Sequence, residues 1–335
     1  MGYGGTSSAA PQGGFDAVAR DFPMPTVYSY SLGFQRQLPK GVIADINYVG
    51  NEARNLLRVR ELNYVTPGAN GVAPTPINAN RPYRGYTRIF VNETAGRSDY
   101  DGLQVALNRR GENKVSAGLA YTFARARGDS DSEDSSASGN LSQDPRNQDG
   151  EYGAQDFDRR HVLSVNYIVK LPELRKANGL KRYVLGGWQF SGITRYQSGR
   201  RYSITAGTNT AIFGDQVTLR ANLVPGQDPN APPEGGRTDA LWFNTAAFTR
   251  PATNQLGDSP RNVLGGPSLF NTDLSLFKNF RFGKRARLQL RGEVFNAFNR
   301  RNIRTIETNL TNARFGQVTA YQSQRIAQLG ARVSF

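Results

Sequence analysis

The chain contains no cysteine and a single histidine, His161, in 335 residues. Without cysteine there are no disulfide staples and no thiolate metal sites, and one imidazole leaves only carboxylates as metal ligands. Long apolar runs are also missing. No window approaches the ~18 consecutive apolar residues of a membrane-spanning helix, and the mean hydropathy is −0.56. The apolar share is 38%, below the ~45–50% of an ordinary globular domain, which is poor material for a packed helical core. A wall built of strands escapes this exclusion, because only every second residue of such a strand is apolar.

The opening residues, "MGYGGTSSAAPQGG", lack a basic start followed by an apolar segment, so they do not read as a secretory leader. An exported protein with this sequence is expected to be longer than this chain. The formal charge is +15, but the arginines are scattered through strands, turns and loops. No compact basic helix, zinc-finger spacing or RRM-type signature accompanies them, so nucleic acid is not an expected partner. A basic envelope suits an anionic lipid leaflet or anionic ligands instead.

What the chain does have is glycine (36), Phe (18), Tyr (15) and strict alternation. In "VYSYSLGFQRQL" Tyr28, Tyr30, Leu32 and Phe34 take one face, while Ser29, Ser31, Gly33 and Gln35 take the other. "VIADINYV" follows after Pro39-Lys40-Gly41 and completes a hairpin. The same period-2 pattern recurs in "YDGLQVALNRR", "VSAGLAYTFAR", "HVLSVNYIV", "WQFSGITRY", "TDLSLFKNFRF", "RLQLRGEVFNAF" and "RIAQLGARVSF". Together these make about nine long strands. Their connections alternate between brief and long. Leu38–Gly41, Arg110–Asn113 and Phe282–Arg285 read as tight turns and 171–186 as a longer one, whereas long loops are expected near 50–99, 126–160, 207–268 and 299–324. Residues 1–26 read as an irregular N-terminal segment and 27–335 as the strand-built unit.

Short turns at one end and long loops at the other describe an outer-membrane β-barrel. Lipid accepts no hydrogen bonds, so each strand pairs along both edges, with apolar side chains outward and polar ones toward the lumen. Two alternatives stay open: a soluble carbohydrate-binding β-sandwich, whose strands also alternate, and a passive outer-membrane pore or structural barrel.

The stretches "YSLGFQRQLPKGVIADINYVGNEARNL", "SDYDGLQVALNRR", "FDRRHVLSVNYIVKLP", "GGWQFSGITRYQSGRRYSI", "GDSPRNVLGGPSLFNTDLSLFKNFRF" and "RLQLRGEVFNAFNRRN", in this order and spacing, give the chain a family likeness. It resembles the C-terminal part of the barrel of TonB-dependent outer-membrane transporters, in the Oar-like subfamily, whose members also carry a carboxypeptidase-regulatory-like domain and a plug. The resemblance implies an all-β, antiparallel transmembrane barrel of about 22 strands, of which this chain holds a part, without plug or TonB box. It implies a bacterial outer-membrane location, energised uptake of a scarce ligand such as a siderophore or glycan, and contact with TonB through the missing N-terminal plug. Outer-membrane lipid and the barrel-assembly machinery complete the implied partners. In such barrels the last strand ends on an aromatic residue that the assembly machinery recognises. Leu329, Ala331, Val333 and Phe335 match that pattern here.

No enzymatic site is legible. His161 stands beside Asp158 in "FDRRHVLS" without a nucleophile elbow, and its place at the head of a strand favours a structural role. Asp129, Asp131, Glu133 and Asp134 begin like a calcium loop, but the sixth and twelfth positions are Asp134 and Asn140 in place of Gly and Glu. This is expected to be a solvated acidic outer loop. No cofactor and no metal are expected. The residues expected to point into the lumen, against plug or ligand, are Gln104, Asn108, Gln189, Arg195, Gln289, Arg291 and Glu293. Outer segments "AIFGDQ" and "LWFNTAAF" offer aromatics that either stack on a ligand or pack the loops together.

Overall fold

The computed structural model describes residues 13–109, 114–129, 141–172, 179–282 and 286–335. The expected turn at Arg110–Asn113, the end of the turn at 283–285, and Asp131, Glu133 and Asp134 lie outside the described residues.

Alternation produces one continuous sheet. Its long strands are β1 (Thr26–Leu38), β2 (Val42–Glu61), β3 (Ile89–Arg109), β4 (Val115–Gly128), β5 (His161–Lys170), β6 (Trp188–Gln197), β7 (Leu269–Phe282), β8 (Ala286–Phe295) and β9 (Ile326–Ser334). Each pairs antiparallel with its sequence neighbours, so the order across the sheet is the order along the chain. That meander is the simplest arrangement for strands joined by hairpins.

The register places the apolar positions side by side across the whole sheet. Phe34 faces Ile46, Ile46 faces Val105, Val105 faces Tyr121 and Tyr121 faces Leu163. Further on, Val169 faces Phe190, Phe190 faces Leu276, Leu274 faces Val294 and Leu290 faces Ala331. A slip of one residue in any ladder would turn a strand's greasy side over. On β4 the apolar set runs from Val115 to Phe123 before Arg125 ends it, a span close to the ~9–11 residues that cross a bilayer as a tilted strand. At the long-loop end of this band the hydroxyls of Tyr30 and Tyr48 both donate to Asp101 Oδ1, at 3.0 and 2.7 Å.

Most of the apolar side is uncovered among the described residues. Leu32 is 78% exposed and Leu329 91%. The two-layer sandwich is therefore ruled out, since its second sheet would bury these side chains. The sheet is also open: β1 and β9 are its edges. Both run toward the short-turn end, so they would meet in parallel. Antiparallel closure takes an odd number of further strands.

The connections depart from expectation in three places. β2 continues to Glu61 and β3 begins at Ile89, so much of the loop expected over 50–99 is a paired extension of the wall and the connection is 62–88. Phe15–Val18, in the stretch expected to be irregular, lies parallel against Ile89–Asn92. The connection after β5 holds a helix, α1 (Gly179–Leu185).

The core sits in the long connections, away from the sheet. Ile204, Ala221, Phe243, Ala247, Phe248, Leu264 and Ile306 form one buried cluster, with Trp242, Phe315 and Val318 packed against it. A second cluster joins Ile212, Phe213 and Leu219 to Tyr64 and Leu256. Short ladders tie these segments together, Val217–Arg220 on Thr205–Asn209 and Val318–Tyr321 on Ile303–Ile306. The long loops thus form a packed cap over one end of the wall.

Candidate ligand-facing cap and polar face

The cap is held by a small number of buried polar side chains. Asn63, fully buried, donates through Nδ2 to the carbonyls of Tyr83, Tyr86 and Thr87 at 3.1, 3.2 and 2.7 Å, and its Oδ1 accepts from Tyr83 N at 2.8 Å. One amide therefore does the work of a missing strand for the 62–88 loop. Arg81 reaches from that loop to Asp215 at 2.7 Å and to Asn63 O at 2.6 Å. Arg220 grips Glu151 through Nη1 at 2.9 and 2.7 Å, while Gln143 Nε2 donates to Gly257 O at 2.8 Å. The bonds of Asn63 brace one connection from within, while those of Arg81, Arg220 and Gln143 tie different connections together, and they engage polar groups that burial would otherwise penalise.

The motif "VFNAFNRRN" is explained by the same chemistry. Asn296 and Asn299 adopt φ of 48° and 50°, a region Asn tolerates better than most residues. The turn they make brings Asn302 alongside the wall, where its amide accepts from Phe270 N at 3.1 Å and donates to Phe270 O at 2.9 Å.

Between the 62–88, 141–148 and 213–218 segments lies a cavity of about 120 Å³, with Glu61, Arg88, Tyr64, Phe213, Asp215 and Gln148 in its walls. Glu61 stands at the outer end of β2, beyond the membrane-spanning rungs. It accepts from Ile89 N at 3.1 Å and from Arg88 Nε at 3.0 Å. Burial pushes its carboxyl above the ordinary value, and the bonds from Arg88 and Ile89 pull only part of the way back. The two aromatic outer segments separate here. Phe243 and Phe248 of "LWFNTAAF" are spent in the cap core, whereas "AIFGDQ" buries Phe213 and turns Asp215 and Gln216 to the cavity.

By register, Gln104, Asn108, Gln189, Arg195, Gln289, Arg291 and Glu293 share the polar face of the sheet. They do not converge on one point. Arg291 and Glu293 pair at 3.9 Å, Gln328 Nε2 donates to Glu293 at 2.5 Å, and Gln289 Nε2 donates to Asn279 Oδ1 at 2.9 Å. Gly118 makes room for Asn108 and Asn166: a Cβ there would lie 3.1 Å from Asn108 Oδ1 and closer still to Asn166. Gln104 lies between Asn47 and Thr122, Arg195 between Ser164 and Asn271, and Gln189 between Lys170 and Phe277.

His161 stacks near Tyr121 and Phe123 and bonds Tyr121 through Nδ1 at 2.8 Å. Asp158 turns elsewhere, to Ala126 N and Arg201. On β9, Leu329 and Val333 are 91 and 64% exposed and Ala331 faces Leu290, and Phe335, just past the strand, is 101% exposed. Sequence reasoning missed Asn63, Glu61, Arg81, Arg220 and Lys278. Only Lys278 left a signal, as a cation on the apolar side of "TDLSLFKNF".

A family model described as an outer membrane beta barrel domain matches residues 2–328. The chain belongs to that family. Its place is accordingly the bacterial outer membrane. Solved structures similar to it include the outer membrane transporter YddB from Escherichia coli, at 13% identity and TM-score 0.47, covering 94% of this chain and 33% of that one. The FrpB iron transporter from Neisseria meningitidis matches at 13% identity and TM-score 0.43, covering 96% and 33%. The siderophore receptor PirA from Acinetobacter baumannii matches at 9% identity and TM-score 0.46, covering 92% and 32%. The chain spans about a third of the length of each. Among curated proteins none matches it in sequence.

Proposed function

We propose that this chain is the C-terminal part of the barrel of a TonB-dependent outer-membrane transporter of the Oar-like subfamily. In the whole protein, the outer cap captures a scarce ligand such as a siderophore or glycan. A plug inside the barrel, coupled to TonB, then releases it inward. The chain supplies the scaffold and part of the binding surface, and it carries out no bond chemistry. Phe335 and the alternate positions Leu329, Ala331 and Val333 present the barrel-assembly signal. Gln104, Asn108, Gln189, Arg195, Gln289, Arg291 and Glu293 meet plug or ligand on the lumen side.

The observation that carries this reading is the union of two structures in one chain: an open wall with an uncovered apolar face, and a cap with a water-type core and a polar cavity. A simple pore needs the wall but has no use for so much ordered loop. The test is the coding sequence preceding Met1, together with the conductance of its product in planar bilayers. A plug and TonB box upstream, with a closed barrel, is the expected result. A barrel without a plug that conducts steadily would establish the passive pore instead.

A further inference from the structure

Helix α1 stands at the short-turn end, where Trp188 opens β6 and Phe282 closes β7. Its sequence is GLKRYVL, in which Leu180, Tyr183 and Val184 follow at i, i+3 and i+4 and so share one stripe, while Lys181 takes another side. Leu180 and Val184 are 79 and 54% exposed, and Tyr183 and Leu185 are exposed as well. Water disfavours an open stripe of this kind, which marks a surface that meets something else.

The helix is fastened over the apolar side of the wall. Lys278 pairs by register with Trp188 and Leu290, on the face that also carries Phe190 and Leu276. That face is mostly open, yet Lys278 is only 5% exposed. Its Nζ donates to Val184 O at 3.1 Å and to Gly186 O, and it stands 4.9 and 5.3 Å from the ring centres of Trp188 and Phe280. Trp188 Nε1 donates to Val184 O as well, at 2.8 Å. A bare cation on this face would confront hydrocarbon, which disfavours it. Carbonyls at the carboxyl end of α1 and two aromatic rings receive it instead. Gly187, at φ 72°, makes the turn from the helix into β6, where a Cβ would come within 2.7 Å of Asn279 O.

The bonds that hide Lys278 therefore hold the carboxyl end of α1 against the apolar band. Phe190, Leu276 and Leu290 beside Lys278 are exposed, so the stripe on α1 continues a surface that the wall already turns to lipid.

We propose that α1 is an interfacial helix: it lies in the membrane surface at the short-turn end, with Leu180, Tyr183 and Val184 in the lipid of that leaflet and Lys181 toward water, and Lys278 pins it there. The division of the helix into an apolar stripe and a basic side is the one that suits the boundary between headgroups and acyl chains. Tyr183 and Trp188 stand at the level where aromatic rings are favoured. The inference rests on the place of the chain in the outer membrane, and it is independent of what the whole protein carries.

The test uses the whole protein in liposomes, with any cysteine outside this chain replaced by serine; the chain brings none of its own. Nitroxides at Leu180→Cys, Lys181→Cys and Val184→Cys are compared with one on the apolar face, Leu329→Cys, and one on the exposed cap, Glu234→Cys. Each label is read by its collisions with oxygen and with a water-soluble nickel chelate. The oxygen-to-nickel ratio at 180 and 184 is expected to exceed that at 234 several-fold and to approach that at 329, with 181 below both neighbours. A ratio at 180 and 184 no higher than at 234 would put the helix in water and overturn the proposal. So would few collisions with either reagent, which would mean that protein covers the stripe, or a ratio at 181 equal to those of its neighbours. A water-like ratio at 329 would deny lipid to the wall as well, and so differs from a failure of α1 alone. Lys278→Met is expected to raise the mobility of the label at 184 several-fold and to leave that at 329 unchanged; unchanged mobility at 184 would overturn the role of Lys278 as the pin.

Discussion

In the wall, Leu32 and Leu329 are 78 and 91% exposed; in the cap, Phe213 and Phe243 are each 1% exposed. The same kinds of side chain have opposite fates, because the two regions answer to different solvents. The wall satisfies its backbone by neighbouring strands and leaves its apolar side chains for hydrocarbon. The cap stands in water and must hide its apolar side chains in itself, which forces loops distant in sequence to meet and then to satisfy buried polar groups with Asn63, Arg81 and Arg220. The wall is therefore made of strands paired in chain order, and the cap of contacts between different connections.

That contrast can be broken by substitution. Phe243→Ala should cost the cap about 3–5 kcal/mol. Hydrogen exchange should show protection lost across 198–268 and kept in β3 and β4; loss in both would mean that wall and cap fold as one unit. Val105→Arg, on the apolar face, should cost about 2–4 kcal/mol in membrane insertion, against almost nothing for Gln104→Arg next to it. Refolding equilibria into lipid vesicles give both numbers, and equal costs would deny the two faces their different solvents.

Asn63→Ala should cost about 1–3 kcal/mol by stranding the carbonyls of Tyr83, Tyr86 and Thr87. Limited proteolysis within 62–88, compared with cleavage at other loops, reads this out. The smallest effect expected is a pH dependence. Burial holds Glu61 above its ordinary value of 4.5, so the folded cap binds this proton more tightly than the unfolded chain. Its contribution is fully present below that value and is lost as pH rises through the raised one. Cap stability should decline from mild acid toward neutrality, and Glu61→Gln should flatten that slope. An unchanged slope in the variant would move the effect to another group.

How much was legible follows the same division. The strands were readable because alternation is local: each of "VYSYSLGF", "LQVALN" and "HVLSVNYIV" displays its two faces within a few residues. The extension of β2 to Glu61 was not, because "NEARNLLRVRE" loses the alternation where the strand leaves the bilayer and a bulge between Ala53 and Leu57 shifts the register. Helix α1 is too short to show a period of its own. Nor does anything in "ELNYV" reveal Asn63 as the hub of a loop whose partners lie about a score of residues away.

The sequence by itself determined the wall: nine alternating strands, which of their faces is greasy, and the parity that leaves the sheet open. Lipid imposes a period of two on every strand separately, so that information sits in neighbouring residues. Only the tertiary structure decided the cap. It sent Phe243 to a core and Asp215 to a cavity, paired Arg220 with Glu151, and laid α1 over Lys278. Burial from water is a property of the assembled chain, and no short stretch of residues records which others will come to cover it.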